Sequence, residues 1–292
     1  MAGIKLIVDE NILVNGCRVA YGIHGPSSGT PIILVHGTPS SSLIFRNVLP
    51  TLISANLKVH VFDLLGFGLS ERPRDPDVDT SMTGQVSILK ALKNHWNLET
   101  AHIVAHDIGG GIAQRFAALD GRDRVRTLTL VDCVSFDSYP SKRTREQMQN
   151  GLEALIKVDD DKHREHFREW LLSAVYHKER FASSSLGTFI EYISGPIGQA
   201  SLFNHQVRHY DPKHTLEIVD KLGEVGEAMP VQLIWGENDE WQVTDWARKL
   251  QGAITGSELT ILKECGHFSP EDQPEKVADL VIRFVERHGR GD

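Results

Sequence analysis

Six short apolar runs recur along the chain: PIILVHG at 31–37, LKVHVFD at 57–63, AHIVAHD at 101–107, VRTLTLVD at 125–132, VQLIWGEND at 231–239 and LTILKECGH at 259–267. Each is nearly continuous rather than alternating. A strand with one wet face alternates apolar and polar residues, whereas one that is apolar throughout is covered on both faces. Such strands belong to a parallel sheet, and parallel strands need long crossovers between them. Helical patterns supply these near 41–54, 80–95, 110–119, 244–251 and 275–288. In the third, Ile112, Ala113, Phe116 and Ala117 form the stripe that would pack on the sheet. Near the N-terminus, IKLIVD and CRVAYGIHG read as paired strands at a sheet edge. The pattern predicts an α/β fold: a mostly parallel, eight-stranded sheet flanked by helices, with right-handed crossovers.

One stretch breaks the rhythm. Residues 134–228 are polar, charged and helical in pattern, with no strand signal. They read as a helical cap inserted into a core made of 1–133 and 229–292. A chain of 292 residues suits one α/β domain with an insertion.

Charge narrows the partners. The net charge is −8 and no Lys/Arg cluster stands out, which argues against nucleic acid and anionic membranes. No apolar run approaches the ~18 residues of a membrane span. The opening MAGIKLIVDENILVNG has early acidic residues and does not read as a signal peptide. Cys17, Cys133 and Cys265 are far apart and lack metal-ligand spacing, so free thiols in a reducing, cytoplasmic setting are expected. No metal or cofactor is expected: the histidines are read as scattered rather than grouped with carboxylates into a ligand set, and glycines 109–111 do not form a dinucleotide fingerprint. The closing GRGD reads as a frayed tail. What remains is a small-molecule substrate.

In open α/β sheets, ligands bind at the carboxyl ends of the strands. The polar residues ending the apolar runs are His36-Gly37, Asp107, Asp239 and His267. Asp107 lies in AHDIGGG, at a glycine-rich hinge between a buried strand and a helix. A carboxylate there is costly unless paired or hydrogen-bonded, so it either caps the helix or does chemistry.

Asp107, Asp239 and His267 follow the nucleophile–acid–histidine order of the α/β hydrolases. Ala105-His106-Asp107-Ile108-Gly109 resembles the nucleophile elbow of that superfamily. His36-Gly37-Thr38-Pro39 is similar to its H-G-x-P loop, DLLGFGLSE at 63–71 to its D-x-x-G-x-G-x-S loop, and ECGHFSPEDQPE at 264–275 to its histidine loop. By motif the chain resembles the epoxide hydrolase and haloalkane dehalogenase branch, which carries aspartate at the elbow.

The chemistry suits that branch. A carboxylate is already ionised and can displace a leaving group at saturated carbon once aimed. The product is an alkyl ester, which water must cleave. The resemblance implies that His267 deprotonates that water, that Asp239 orients the imidazole, and that the N–H groups of Thr38 and Ile108 hold the oxyanion. Glu240, Asp132 and Asp137 compete with Asp239 as the acid. His36 and His106 are expected to be structural, and Asp63 to brace its loop.

For the leaving group, haloalkane dehalogenases usually carry tryptophan and often asparagine where this chain has Ile108 and Thr38. Trp170 could still offer an N–H to halide. Epoxide hydrolases use cap hydroxyls, and four tyrosines fall in the insertion: Tyr139, Tyr176, Tyr192 and Tyr210. Tyr139 and Tyr210 are the candidates, Tyr210 first. The resemblance therefore ranks epoxide opening first and dehalogenation second. Ester, lactone or C–C bond hydrolysis follows, and then a non-catalytic ligand-binding relative.

Overall fold

The computed structural model describes residues 7–75, 77–121 and 123–289, without the side chain of residue 143. One eight-stranded sheet forms its centre, ordered β1-β2-β4-β3-β5-β6-β7-β8. The strands are β1 (Glu10–Val14), β2 (Cys17–His24), β3 (Thr30–Val35), β4 (Leu57–Phe62), β5 (Ala101–His106), β6 (Val125–Val131), β7 (Val231–Gly236) and β8 (Glu258–Leu262). From β4 through β8 all pairings are parallel; β1–β2 and β2–β4 are antiparallel. The six apolar runs are the six parallel strands.

The edge hairpin differs from the sequence reading. The partner of β2 is ENILV at 10–14, not IKLIVD. Residues 4–6 of that run lie outside the described residues, and Ile7, Val8 and Asp9 are not in a strand. Asn15 and Gly16 explain the choice. Their φ angles of +52° and +83° form the two-residue turn that joins Val14 to Cys17, and only a tight turn with positive φ matches the strands' twist. Of the tail, residues 290–292 also lie outside the described residues.

Helices cover both faces, as continuous apolar strands require. They are α1 (Leu49–Ser54), α2 (Met82–His95), α3 (Ile108–Leu119), α12 (Thr244–Ala253), α13 (Ser269–Asp272) and α14 (Pro274–His288), with α4 (Lys142–Gln149), α5 (Leu152–Ile156), α6 (Asp160–Leu172), α7 (Lys178–Ser184), α8 (Leu186–Ile193), α9 (Gly195–Ser201), α10 (Lys213–Leu216) and α11 (Leu222–Ala228) between β6 and β7. Ile33 and Val35 of β3 pack with Leu89 of α2 and Phe116 of α3. Ile32 and Leu34 face the other way, toward Leu52 of α1 and Val281 of α14. That second core continues into the inserted segment through Leu171, Phe181 and Phe189. Among the described residues, no helix is long and apolar enough to cross a membrane.

Candidate functional site

Asp107 stands between β5 and α3 with φ +53° and ψ −122°. A non-glycine residue there costs about 1–3 kcal/mol and persists only when its surroundings hold it. They do. Its N–H donates to the Val131 carbonyl (3.2 Å), and its carbonyl accepts from Gly110 (3.0 Å) and Val134 (3.2 Å). The side chain does not cap the helix, so the capping role drops out. Glycines make the turn possible. A Cβ at Gly37 would strike the Asp107 side chain, and one at Gly109 would strike the carbonyl oxygens of Val35 and His36. Backbone cannot yield as a flexible side chain can. Gly109→Ala is therefore expected to lower the melting temperature by several degrees, for an overpacking cost of about 1–3 kcal/mol. Calorimetry checks this.

The three strand-end residues meet. Asp107 Oδ1 accepts from the Thr38 N–H at 2.7 Å. Asp107 Oδ2 lies 3.4 Å from His267 Nε2. His267 Nδ1 lies 2.9 Å from Asp239 Oδ2. The other Asp239 oxygen accepts from the N–H groups of Trp241 and Gln242, both at 2.8 Å. Ile108 is the first residue of α3, where helical N–H groups have no partner within the helix.

The hydrogen bond to His267 Nδ1 is made by Asp239 and not by the competing carboxylates. Asp137 and Glu240 are exposed. Asp132 is buried and accepts from the Gly236 N–H (2.8 Å). Burial and the charge of Asp239 raise its pKa well above the usual carboxylate range. The supporting histidines have fixed partners. His36 Nε2 accepts from the Leu64 N–H (2.9 Å), so its proton sits on Nδ1, which faces the Gly37 carbonyl (2.9 Å). His106 Nε2 donates to the His267 carbonyl at 2.9 Å, and burial pushes its pKa down to about 3. Asp63 accepts from Ser42 and Leu69, each at 2.7 Å, and ties two loops together.

His267 is fully buried. Burial alone would lower its pKa, but the charges of Asp239 and Asp107 raise it well above the ordinary imidazole value. Its loop is anchored from outside the core. Asp272 Oδ2 accepts from Gly266 (2.8 Å) and Tyr176 (2.7 Å), Asp272 Oδ1 from His177 (3.0 Å), and the Phe268 N–H donates to the Ala174 carbonyl (2.8 Å).

A cavity of about 270 Å³ opens on Asp107. Thr38, Tyr139, Trp170 and Tyr210 line it, as do Trp241 and Glu240. The Tyr139 and Tyr210 rings lie 4.7 Å apart. The Tyr210 hydroxyl is 2.5 Å from Thr38 Oγ1, which donates to Gln206 Oε1 at 3.1 Å. Burial raises both phenol pKa values, so both keep their protons at neutral pH. Tyr176 is 45% exposed, and neither it nor Tyr192 lines the cavity. Ile108 is buried but is likewise not in the cavity wall.

Three participants escaped the sequence reading. Trp241 stacks on Trp170 (4.2 Å, 14°), lies 4.9 Å from the His267 ring, and donates its indole N–H to Ser173 Oγ at 2.9 Å. Its signal was its place in GENDEW, directly after the turn carrying Asp239. Gln206 and the Thr38 hydroxyl gave no signal.

The chain is similar over most of its length to known proteins. A family model described as alpha/beta hydrolase fold matches residues 30–274. The chain is 27% identical over 302 residues to a protein named soluble epoxide hydrolase from Corynebacterium sp. strain C12, covering 95% of this chain and 97% of that one. It is 24% identical over 296 residues to one named proline iminopeptidase from Lactobacillus crispatus, covering 97% and 99%. A solved alpha/beta hydrolase fold protein from Burkholderia ambifaria superposes with a TM-score of 0.87 at 28% identity, covering 95% and 98%.

Proposed function

The chain belongs to the alpha/beta-hydrolase family, and on that premise we propose that it is a hydrolase working through a covalent alkyl ester on Asp107, with epoxides as substrates. The observation that carries the reading is one cavity holding the Asp107 carboxylate and two phenols. A carboxylate supplies the nucleophile, and phenols supply the acid that a departing ring oxygen needs.

The steps follow from the atoms. Thr38 N–H engages Asp107 Oδ1, so Oδ2 is the attacking oxygen. It forms a C–O bond to a ring carbon as the ring C–O bond breaks, and a phenol protonates the released oxygen. Tyr210 already directs its hydroxyl at Thr38, which makes Tyr139 the freer donor. Water then adds to the Asp107 carboxyl carbon, with His267 Nε2 taking its proton. Thr38 and Ile108 N–H groups hold the oxyanion. Collapse expels the alcohol oxygen, which takes the proton from His267, and water's second proton restores the phenol. The product is a diol.

A halide leaving group fits less well. It wants N–H donors, while the Trp241 N–H is committed to Ser173 and position 108 is isoleucine. Ester or lactone hydrolysis by this route would require carboxylate attack on an acyl carbon, giving an anhydride.

Single turnover in heavy-oxygen water tests the proposal. The first diol should be unlabelled and the label should reside in Asp107, read by mass spectrometry of its peptide. Label in the first diol instead would mean direct attack by water and end the covalent reading. Tyr139→Phe is expected to lower kcat about a hundredfold, and Tyr210→Phe less, because general-acid assistance is worth about 10²–10⁴. Steady-state kinetics on an epoxide measures both.

A further inference from the structure

Resting on the reading above, we infer that the substrates carry an alkylated ammonium group beside the reactive ring, selected by the aromatic wall and Glu240. Four aromatic side chains line the cavity, and its acidic side chains are Asp107 and Glu240. None of the described lining residues is lysine or arginine. Trp170 and Trp241 stack into one indole wall, and the two phenol rings adjoin each other. Aromatic faces carry negative potential and attract cations, most strongly those that shed water easily, such as methylated ammonium.

A plain apolar substrate would account for the aromatics but not for Glu240, which lines the cavity and is open to solvent. Arg145, on the segment leading from Ser141, turns away and donates to the carbonyls of Pro140 and Asp137. A carboxylate-bearing substrate would meet two like charges, with no lysine or arginine among the described residues of the wall. After Asp107 becomes an ester its charge is gone, and Glu240 is then the acidic side chain left to hold the cation.

The test compares three epoxides: glycidyltrimethylammonium, its neutral isostere with a tert-butyl group in place of trimethylammonium, and glycidate. The expected kcat/KM is about tenfold higher for the cation than for the isostere, with glycidate lowest. Glu240→Gln should cut the cation-to-isostere ratio about threefold, and added salt should cut it too. A ratio near one overturns the inference and leaves the epoxide reading standing. A binding arm separates the two in the other direction. Choline and its tert-butyl isostere are titrated against tryptophan fluorescence of the whole protein. Choline binding about tenfold tighter, and weakened by Glu240→Gln, upholds the inference even if every epoxide goes unconsumed. Equal binding overturns it.

Discussion

His267→Gln is expected to stall the protein on its own intermediate. Alkylation of Asp107 needs no base, because the carboxylate is already ionised, so the variant should consume one equivalent of epoxide per site. Cleavage of the ester needs a proton removed from water, and glutamine cannot remove it. Turnover should fall by about 10⁴, the upper range for loss of a general base, while the peptide containing Asp107 gains the whole mass of the epoxide. A halide substrate would instead add its mass less HX. Intact-protein and peptide mass spectrometry reads the adduct. A variant with unchanged turnover and no adduct would remove His267 from the mechanism.

Asp107→Ala is expected to reduce turnover to the uncatalysed background, a loss of at least about 10⁴, with no adduct formed. It should also lower the pKa of His267. The native value is raised because two carboxylates outweigh the effect of burial; with one removed, burial gains weight. NMR titration of the ring measures the fall. A raised pKa favours the native state below the pH at which an unfolded histidine titrates, and this stability is lost as pH climbs through the native pKa. In the variant that loss should therefore be smaller and be complete at lower pH. The same electrostatics serve the proposed cycle. Forming the ester removes the charge of Asp107, which lowers the affinity of His267 for its proton just when a base is required.

Much of this architecture was legible because its causes are local. A strand buried on both faces must be apolar throughout, so six strands announced themselves. Asp107, Asp239 and His267 were legible because each ends such a strand, and a parallel sheet gathers those ends on one side. The edge hairpin was misread because IKLIVD is the more apolar run, while the deciding element was the Asn15-Gly16 turn. The start of α3 was read two residues late. Gly109 and Gly110 look like breakers, yet they let the helix begin directly after Asp107, pressed on Val35 and Cys133. Gln206 and the Thr38 hydroxyl were illegible for a different reason. Gln206 closes a single π turn, Leu202–Gln206, and meets Thr38 across 168 residues of chain. No periodicity encodes that meeting.

The carboxylate of Asp272 clasps, with one oxygen, both the peptide before the imidazole and the turn at Tyr176. The roof of the site is therefore riveted to the wall that carries the proton acceptor, and cannot swing away there without disarming it. Any motion of the roof that admits substrate has to leave this clasp closed if His267 is to stay aligned.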